Sequence, residues 1–330
     1  MEMPSVLKQK LEELSLGRKN DDLKKNAATL SLRYRTETKR GQDLIGGASG
    51  SVAYALSRMP ATFGALSLVL KQASALRDFS PETMVDVGAG TGAAVWAASG
   101  FFGFRGITCL ERSPDMRAVG ERLTKEAEDF FAVSPVWRNF DLIRDSVPRA
   151  DLITAGYVLN ELDGSERINA LSKLWTATRN VLVLVEPAAP ENFRQMKEYR
   201  TFLINNGAFI AAPCPHQDEC LNDWCHFGCR VARSKAHRIA KGGSAPFEDE
   251  KFCYLIATRQ RYDTSAPRVL RRPVIETGKA TLSLCTKGGI TEKTFSRKDG
   301  PAYKAARKAE WADSFIPTER FFQPSDSCGI

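Results

Sequence analysis

The chain has 330 residues, 43% apolar and 26% charged, enough for two domains or one large α/β domain with additions, and able to bury a core. No stretch approaches the roughly 18 uninterrupted apolar residues of a membrane span. The start, Met1-Glu2-Met3-Pro4, soon meets Glu12 and Glu13 without an apolar h-region. Secreted, membrane and fibrous classes are therefore excluded, an Arg-rich transit peptide is not expected, and a bacterial cytoplasmic chain is.

Residues 1–78 read as a helical region. Leu7, Leu11, Leu14 and Leu16 form a loose apolar stripe, and a second helical pattern covers Val52 to Leu76, interrupted at Met59-Pro60. The pattern changes after Phe79-Ser80-Pro81. Thr83–Val87, Ile107–Leu110, Asp151–Ala155 and Val181–Val185 are short apolar runs, followed in turn by helical stretches at Ala93–Ser99, Pro114 to about Phe131 and Ser165–Arg179. Continuous apolar strands alternating with helices predict a doubly wound α/β domain with a parallel sheet covered on both faces. We expect this core over 79–200, a Cys-rich metal-binding insertion over 201–251, and a last core strand (Phe252–Thr258) plus a basic extension over 252–330. In the extension, Ala280–Leu284 and Ile290–Phe295 flank Thr286-Lys287-Gly288-Gly289, a hairpin signal. A basic helix, Pro301–Ala312, follows, carrying Lys304, Arg307 and Lys308.

The first strand ends in Asp86-Val87-Gly88-Ala89-Gly90-Thr91-Gly92. Gly88, Gly90 and Gly92 remove side chains where the chain turns tightly and approaches a ligand. A helix N-terminus there ordinarily favours pyrophosphate, but Asp86 repels phosphate and can hold an ammonium group. The pattern thus favours S-adenosylmethionine, with its zwitterionic methionyl end, over NAD. Glu111, ending the second strand, is placed to accept from ribose hydroxyls, and Asp141 from the adenine amino group. A tight turn with no ligand is the plain alternative. Methyl transfer requires mainly alignment of nucleophile and methyl group. Amine-methylating enzymes often carry Asn/Asp-Pro-Pro-aromatic in the region where Asn160 and Glu161 stand here without prolines. A cytosine-C5 enzyme needs a nucleophilic Cys, which Pro213-Cys214 superficially offers, but its place in a cysteine cluster favours a ligand role. Asn160 and Glu161 remain the catalytic candidates, and cofactor binding is better supported than catalysis.

Cys214, Cys220, Cys225 and Cys229 fall within 16 residues, with Cys253 and Cys285 beyond. In a reducing compartment such density points to a metal site rather than disulfides. Four thiolates close a tetrahedral zinc site or cap an iron–sulfur cubane. The spacing lacks a zinc-ribbon CxxC pair, and compactness alone nominates Cys229 as fourth ligand. His216 and His226 are possible ligands or capping groups, and His237 is expected on the surface. Cys109 is expected in the core and Cys328 in the tail.

Charge is concentrated. The net is +8, and between Arg259 and Glu310 there are 13 Lys/Arg against 5 Asp/Glu. Arg230, Arg233, Lys235, Arg238 and Lys241 form a second block without an acid. Such patches suggest a polyanion bound through phosphate contacts; a solvated face is the alternative.

Six segments occur in order: Ser51-Val52-Ala53-Tyr54-Ala55-Leu56-Ser57-Arg58-Met59-Pro60-Ala61-Thr62-Phe63; Asp86 to Gly92; Ala212-Pro213-Cys214-Pro215-His216; Asp223-Trp224-Cys225-His226-Phe227; Glu248-Asp249-Glu250-Lys251-Phe252; and Leu284-Cys285-Thr286. Together, over about residues 25–315, the chain resembles the Rsm-twenty-two, methyltransferase-like family of the small ribosomal subunit, whose mitochondrial members are assembly factors. The resemblance implies a class I methyltransferase (Rossmann-like) fold with an iron–sulfur site, of 4Fe-4S type with zinc the alternative, acting on the small subunit and its ribosomal RNA. It implies Cys214, Cys220, Cys225 and the remote Cys285 as ligands, with Cys229 the fallback. Contacts to RNA are expected from Arg230, Arg233, Lys235, Arg238, Arg271, Arg272, Lys304, Arg307 and Lys308. A monomer off the ribosome is expected, in a bacterial cytoplasm or, in a eukaryotic host, the mitochondrial matrix. An assembly factor and an active ribosomal RNA methyltransferase are the two functional expectations.

Overall fold

The computed structural model describes residues 2–36, 47–125, 127, 129–222 and 224–317; Asp223 and Cys328 lie outside them. Four helices lead the chain: α1 (Ser5–Ser15), α2 (Asn20–Thr36), α3 (Gly47–Ser57) and α4 (Met59–Ser74). The apolar stripe of α1 buries Leu7, Leu11 and Leu14. Between α3 and α4 the chain bends by 50°, with Pro60 in the first turn of α4, where a missing N–H costs nothing. No single helix among the described residues is long and apolar enough to cross a membrane.

The core alternates as expected: β1 (Thr83–Val87), α5 (Ala93–Ala98), β2 (Gly106–Glu111), α6 (Pro114–Thr124), β3 (Val136–Asn139), β4 (Ala150–Gly156), a 3₁₀ turn (Leu159–Glu161), α7 (Gly164–Ala177) and β5 (Thr178–Pro187). Val181 to Val185 of β5 are fully buried, as a central strand covered on both faces requires. Helix α6 starts where Ser113 accepts from Met116 N and Pro114 sets the backbone. It stops at Lys125, short of the expected Phe131. There the chain turns so that Phe130 and Phe131 pack on Trp96, at 4.9 and 4.6 Å between ring centroids.

Then come α8 (Pro190–Asn205), β6 (Phe209–Ala212), β7 (Phe227–Ala232), α9 (Lys235–Lys241) and β8 (Phe247–Thr258). The sheet order is β3-β2-β1-β4-β5-β8-β6, with β7 also on β8. The sheet is mixed, which corrects the expectation of a parallel one: β5–β8, β6–β8 and β7–β8 are all antiparallel. The cause is the long excursion between β5 and β8, which returns the chain to the sheet from the opposite end. The stretch 201–251 also supplies the end of α8 and two strands of this sheet, so it is less a separate insertion than the sequence suggested.

A smaller sheet follows, built from β9 (Arg268–Val269), β10 (Val274–Glu276), β11 (Lys279–Thr286) and β12 (Gly289–Ser296), with α10 (Pro301–Lys308) laid on it. The expected hairpin is β11–β12. Leu282, Leu284, Phe295, Ala302, Ala306 and Phe315 form its own core. The basic helix ends at Lys308, four residues early.

Candidate functional site

In an open α/β sheet the ligand crevice lies beyond the strand ends where the order reverses, here between β1 and β4. The loop after β1 carries Gly88, Gly90 and Gly92, all at positive φ (70°, 57° and 91°), a conformation only glycine adopts freely. A side chain at Gly88 would also strike Val158 Cγ2 at 2.7 Å. Asp86 is buried at the end of β1 and accepts from Thr154 Oγ1 at 2.7 Å. Burial pushes its carboxyl up to about 7; the hydrogen bond from Thr154 opposes this and Glu111 adds to it.

Glu111 reaches into the glycine turn. Its Oε2 accepts from Gly90 N at 2.9 Å and its Oε1 from Ser113 N at 2.8 Å. A carboxylate offers about four lone-pair directions, so capacity for hydroxyl donors remains on both oxygens. Asp141 Oδ1 accepts from Ile143 N at 2.9 Å, closing a turn that sequence reading did not foresee. Asn160 is turned inward: with its amide oriented to satisfy its neighbours, it donates to Tyr157 O at 3.2 Å and Glu186 Oε2 at 2.9 Å. Glu186 Oε1 accepts from Leu159 N and Asn160 N. Burial pushes Glu186 up to about 8. Glu161 stays exposed on the rim, within electrostatic reach of Glu111. Tyr157 holds a strained φ of 60°, donating to Glu250 Oε1 at 3.1 Å beside Arg58 at 3.2 Å. Asn160 is thus tied to Glu186 and to the Tyr157 carbonyl, and Asp86, Glu111 and Glu161 gather around the glycine turn.

The second site is a cleft lined by Cys214, Cys220, Cys225 and Cys285, with Phe193, Arg200 and Tyr254 among its walls. Cys214 follows β6, Cys220 and Cys225 lie in the loop before β7, and Cys285 comes from β11. Chain segments some sixty residues apart in sequence are thereby brought together. Burial raises the Cys225 thiol, and Cys214, Cys285 and Cys220 raise it further; burial pushes Cys285 up to about 11. Asn222 Nδ2 lies 3.8 Å from Cys285 Sγ, and Lys287 at the hairpin tip meets Asp218 of the cysteine loop at 3.5 Å. Cys229 faces the other way: a side chain at Gly64 of α4 would meet its Sγ at 3.1 Å. Cys253, also on the cleft wall, donates to Pro187 O at 3.4 Å. His216 lines the cleft and His226 does not.

Two buried cations flank these thiols. Arg200 (4% exposed) donates to His216 O at 2.8 Å, and its Nε has no partner among the described residues. Arg268 (5% exposed) donates to Pro213 O, Gln72 Oε1 and Ala312 O at 2.9, 2.6 and 2.9 Å. Among the described residues no carboxylate pairs with either. Guanidinium groups buried without anions beside four thiols suit thiolates or a negatively charged centre. Among the described residues no three His, Cys, Asp or Glu side chains are set to hold a single metal ion. Four thiols are the donor set that either a tetrahedral thiolate site or a cubane cluster requires.

The basic block 230–241 meets acids across the sheet. Antiparallel β7–β8 sets Arg230 opposite Asp249 and Val231 opposite Glu248. Glu248 meets Arg233 at 2.7 Å, Lys241 at 3.3 Å and His237 at 3.2 Å. His237 is buried, 1% exposed, and not a surface residue. Asp249 is gripped by Arg230 at 2.8 and 3.0 Å and by Arg272 at 3.3 Å. Lys235, Arg238, Lys304, Arg307 and Lys308 remain exposed; Arg271, half-buried, donates to Leu270 O at 2.7 Å.

Strand order, antiparallel last strand and glycine crevice define a class I methyltransferase-like α/β protein. The family model described as mitochondrial small ribosomal subunit Rsm22 matches residues 48–316, and the chain belongs to that family. Among curated relatives, the human mitochondrial ribosome assembly protein METTL17 is 26% identical over 317 residues, covering 88% of this chain and 68% of that protein. The two mitochondrial Rsm22-cox11 tandem proteins of Schizosaccharomyces pombe are each 23% identical, over 89% of this chain and 47% of theirs, so the chain spans about half their length. Solved structures overlap loosely. Magnesium protoporphyrin IX methyltransferase of Synechocystis with bound SAM gives a TM-score of 0.41 at 15% identity, over 71% of this chain and 93% of that one. The N-methyltransferase NodS of Bradyrhizobium japonicum with S-adenosylhomocysteine gives 0.41 at 12%, over 62% and 89%.

Proposed function

We propose that this chain is a small-ribosomal-subunit assembly factor that uses a methyltransferase fold as a docking scaffold. It acts as a monomer off the ribosome, binding ribosomal RNA through the exposed basic residues of 230–241 and of the 252–330 extension. Family membership supports the ribosomal partner. The observation that carries the scaffold reading is the meeting of Cys214, Cys220 and Cys225 with Cys285, beside Arg200 and Arg268. These four thiolates would hold an iron–sulfur cluster, which supplies a structural cross-link between the cysteine loop and the basic extension, so that metal binding and folding are coupled.

S-adenosylmethionine is the ligand we assign to the crevice. Asp86, Glu111 and Glu161 would face its positive charges, Gly88, Gly90 and Gly92 its methionyl end, and Asp141 its adenine. Bound, it stabilises the scaffold by mass action. The relatives' mitochondrial names support a mitochondrial matrix location in a eukaryotic host; they lend nothing to the expected bacterial cytoplasm.

An active ribosomal RNA methyltransferase is the second reading, favoured by the carboxylates gathered at the crevice and by the strained Tyr157 beside it. Purified protein, labelled S-adenosylmethionine and immature small subunits separate the two. Cosedimentation without transferred label is the result expected. Label at a defined nucleotide establishes the second reading, and failure to cosediment contradicts both.

A further inference from the structure

The solvent face of the β7–β8 ladder carries chemistry that the fold does not need. Residues on this face come in cross-strand pairs, Gly228 with Lys251, Arg230 with Asp249 and Ala232 with Phe247; all but the half-buried Gly228 are exposed. The opposite face turns Cys229, Val231, Glu248 and Glu250 inward. Phe247 is 43% exposed, and the Arg230 guanidinium lies over its ring at 4.0 Å. At the other end of the ladder Trp224, 40% exposed, stacks on His226 at 4.2 Å, and Trp311 meets that ring edge-on at 5.5 Å. Trp311 also lies against Gly228, where a side chain would come within 2.9 Å of its Cζ3. Four residues of strand separate the two aromatic stations, about 13 Å.

Between them sits a fork of two arginines on one carboxylate. Arg230 binds Asp249 through two hydrogen bonds and Arg272 through a third. The fork is exposed, with side-chain accessibilities of 48% for Arg230, 38% for Asp249 and 54% for Arg272. The pair is bidentate and shared, the geometry in which an exposed ion pair holds best, and the same planar guanidinium fork matches a phosphate. Asp249 therefore occupies the place a phosphate would take. With Lys251 the group keeps a positive balance even while Asp249 is in it.

We propose that this face is a platform for an unpaired RNA segment. Its bases stack at Phe247 and at the Trp224–Trp311 end, and its backbone phosphate displaces Asp249 from Arg230 and Arg272. Unpaired bases are required, because stacking platforms read rings that a duplex conceals. The inference rests on the ribosomal RNA reading above and adds the strand state, the stacking residues and an internal competitor.

The test is fluorescence anisotropy of the full chain with a labelled oligouridine decamer and with an RNA duplex of equal length. The decamer is expected to bind more tightly. Phe247→Ala should weaken it by about fivefold or more. Asp249→Asn should tighten it roughly two- to fivefold, and Arg272→Ala should flatten the log–log salt slope by about 0.7. Equal or tighter duplex binding, or decamer affinity and salt slope unmoved by the three variants, overturns the platform. If those same variants still cosediment with small subunits, the assembly reading survives that result. A wild-type chain that binds neither RNA nor subunits sinks both.

Discussion

Replacing Arg268 with methionine probes the join between the small sheet and the methyltransferase-like core. Arg268 opens β9, pairs in register with Cys285, and ties together the Pro213 turn, Gln72 of α4 and Ala312 of the tail. Methionine refills most of the volume but leaves Pro213 O and Ala312 O without donors, at about 1–3 kcal/mol each. Gln72 Oε1 keeps the Tyr254 hydroxyl at 2.9 Å. Against this loss, the variant no longer buries a cation without a carboxylate beside it, a cost in its own right. The balance is a destabilisation of about 2–4 kcal/mol, roughly a 30- to 900-fold shift in the folding equilibrium. Urea unfolding followed by tryptophan fluorescence measures it. With the cluster present the loss should be larger than in stripped protein, because a negative centre compensates the cation only when bound. A loss under about 1 kcal/mol would refute the hydrogen-bond argument, and equal losses in loaded and stripped protein would refute the electrostatic one.

Other outcomes follow from the two sites. Cys229→Ser should leave any visible charge-transfer absorbance unchanged while Cys220→Ser abolishes it; loss in Cys229→Ser would make Cys229 a ligand, and retention in Cys220→Ser would remove Cys220 from the set. Asp86→Ala or Glu111→Ala should weaken S-adenosylmethionine binding by about tenfold or more in calorimetry, with RNA binding nearly intact. Loss in neither variant would make the glycine turn purely structural. Glu186 is raised to about 8, so between the ordinary carboxylate range and pH 8 the folded chain holds a proton that the unfolded chain has lost. This group therefore destabilises the fold increasingly as pH rises through that window. Melting temperatures of Glu186→Gln relative to wild type should climb from about pH 5 to 8; a flat difference contradicts a buried neutral Glu186.

The strands of the core were readable because each is a run of β-branched and apolar residues ending at a glycine or an acid. Val136–Asn139 escaped notice because a four-residue edge strand, largely exposed, carries no apolar run. The mixed sheet was hidden for another reason: Phe252–Thr258 looks the same entering from either end, and direction is set by the chain between β5 and β8. Pairing also misled the reading of charge. Residues 230–241 contain no acid, yet Glu248 and Asp249 stand opposite them across a hairpin-like ladder, and His237 is buried beside Glu248. Strand alternation sends Glu248 and Glu250 inward and Asp249 outward, which a run of three acids does not announce. Compactness favoured Cys229 over Cys285; side-chain direction on β7, which spacing alone does not report, turns Cys229 toward α4.

The most direct measurement is iron and acid-labile sulfide per chain after anaerobic purification, for wild type, Cys285→Ser and Cys229→Ser. Matched iron and sulfide in wild type and Cys229→Ser, with both lost in Cys285→Ser, is the outcome predicted. Stoichiometric zinc without sulfide, or a cluster that survives Cys285→Ser, would contradict a cross-link between the cysteine loop and the basic extension.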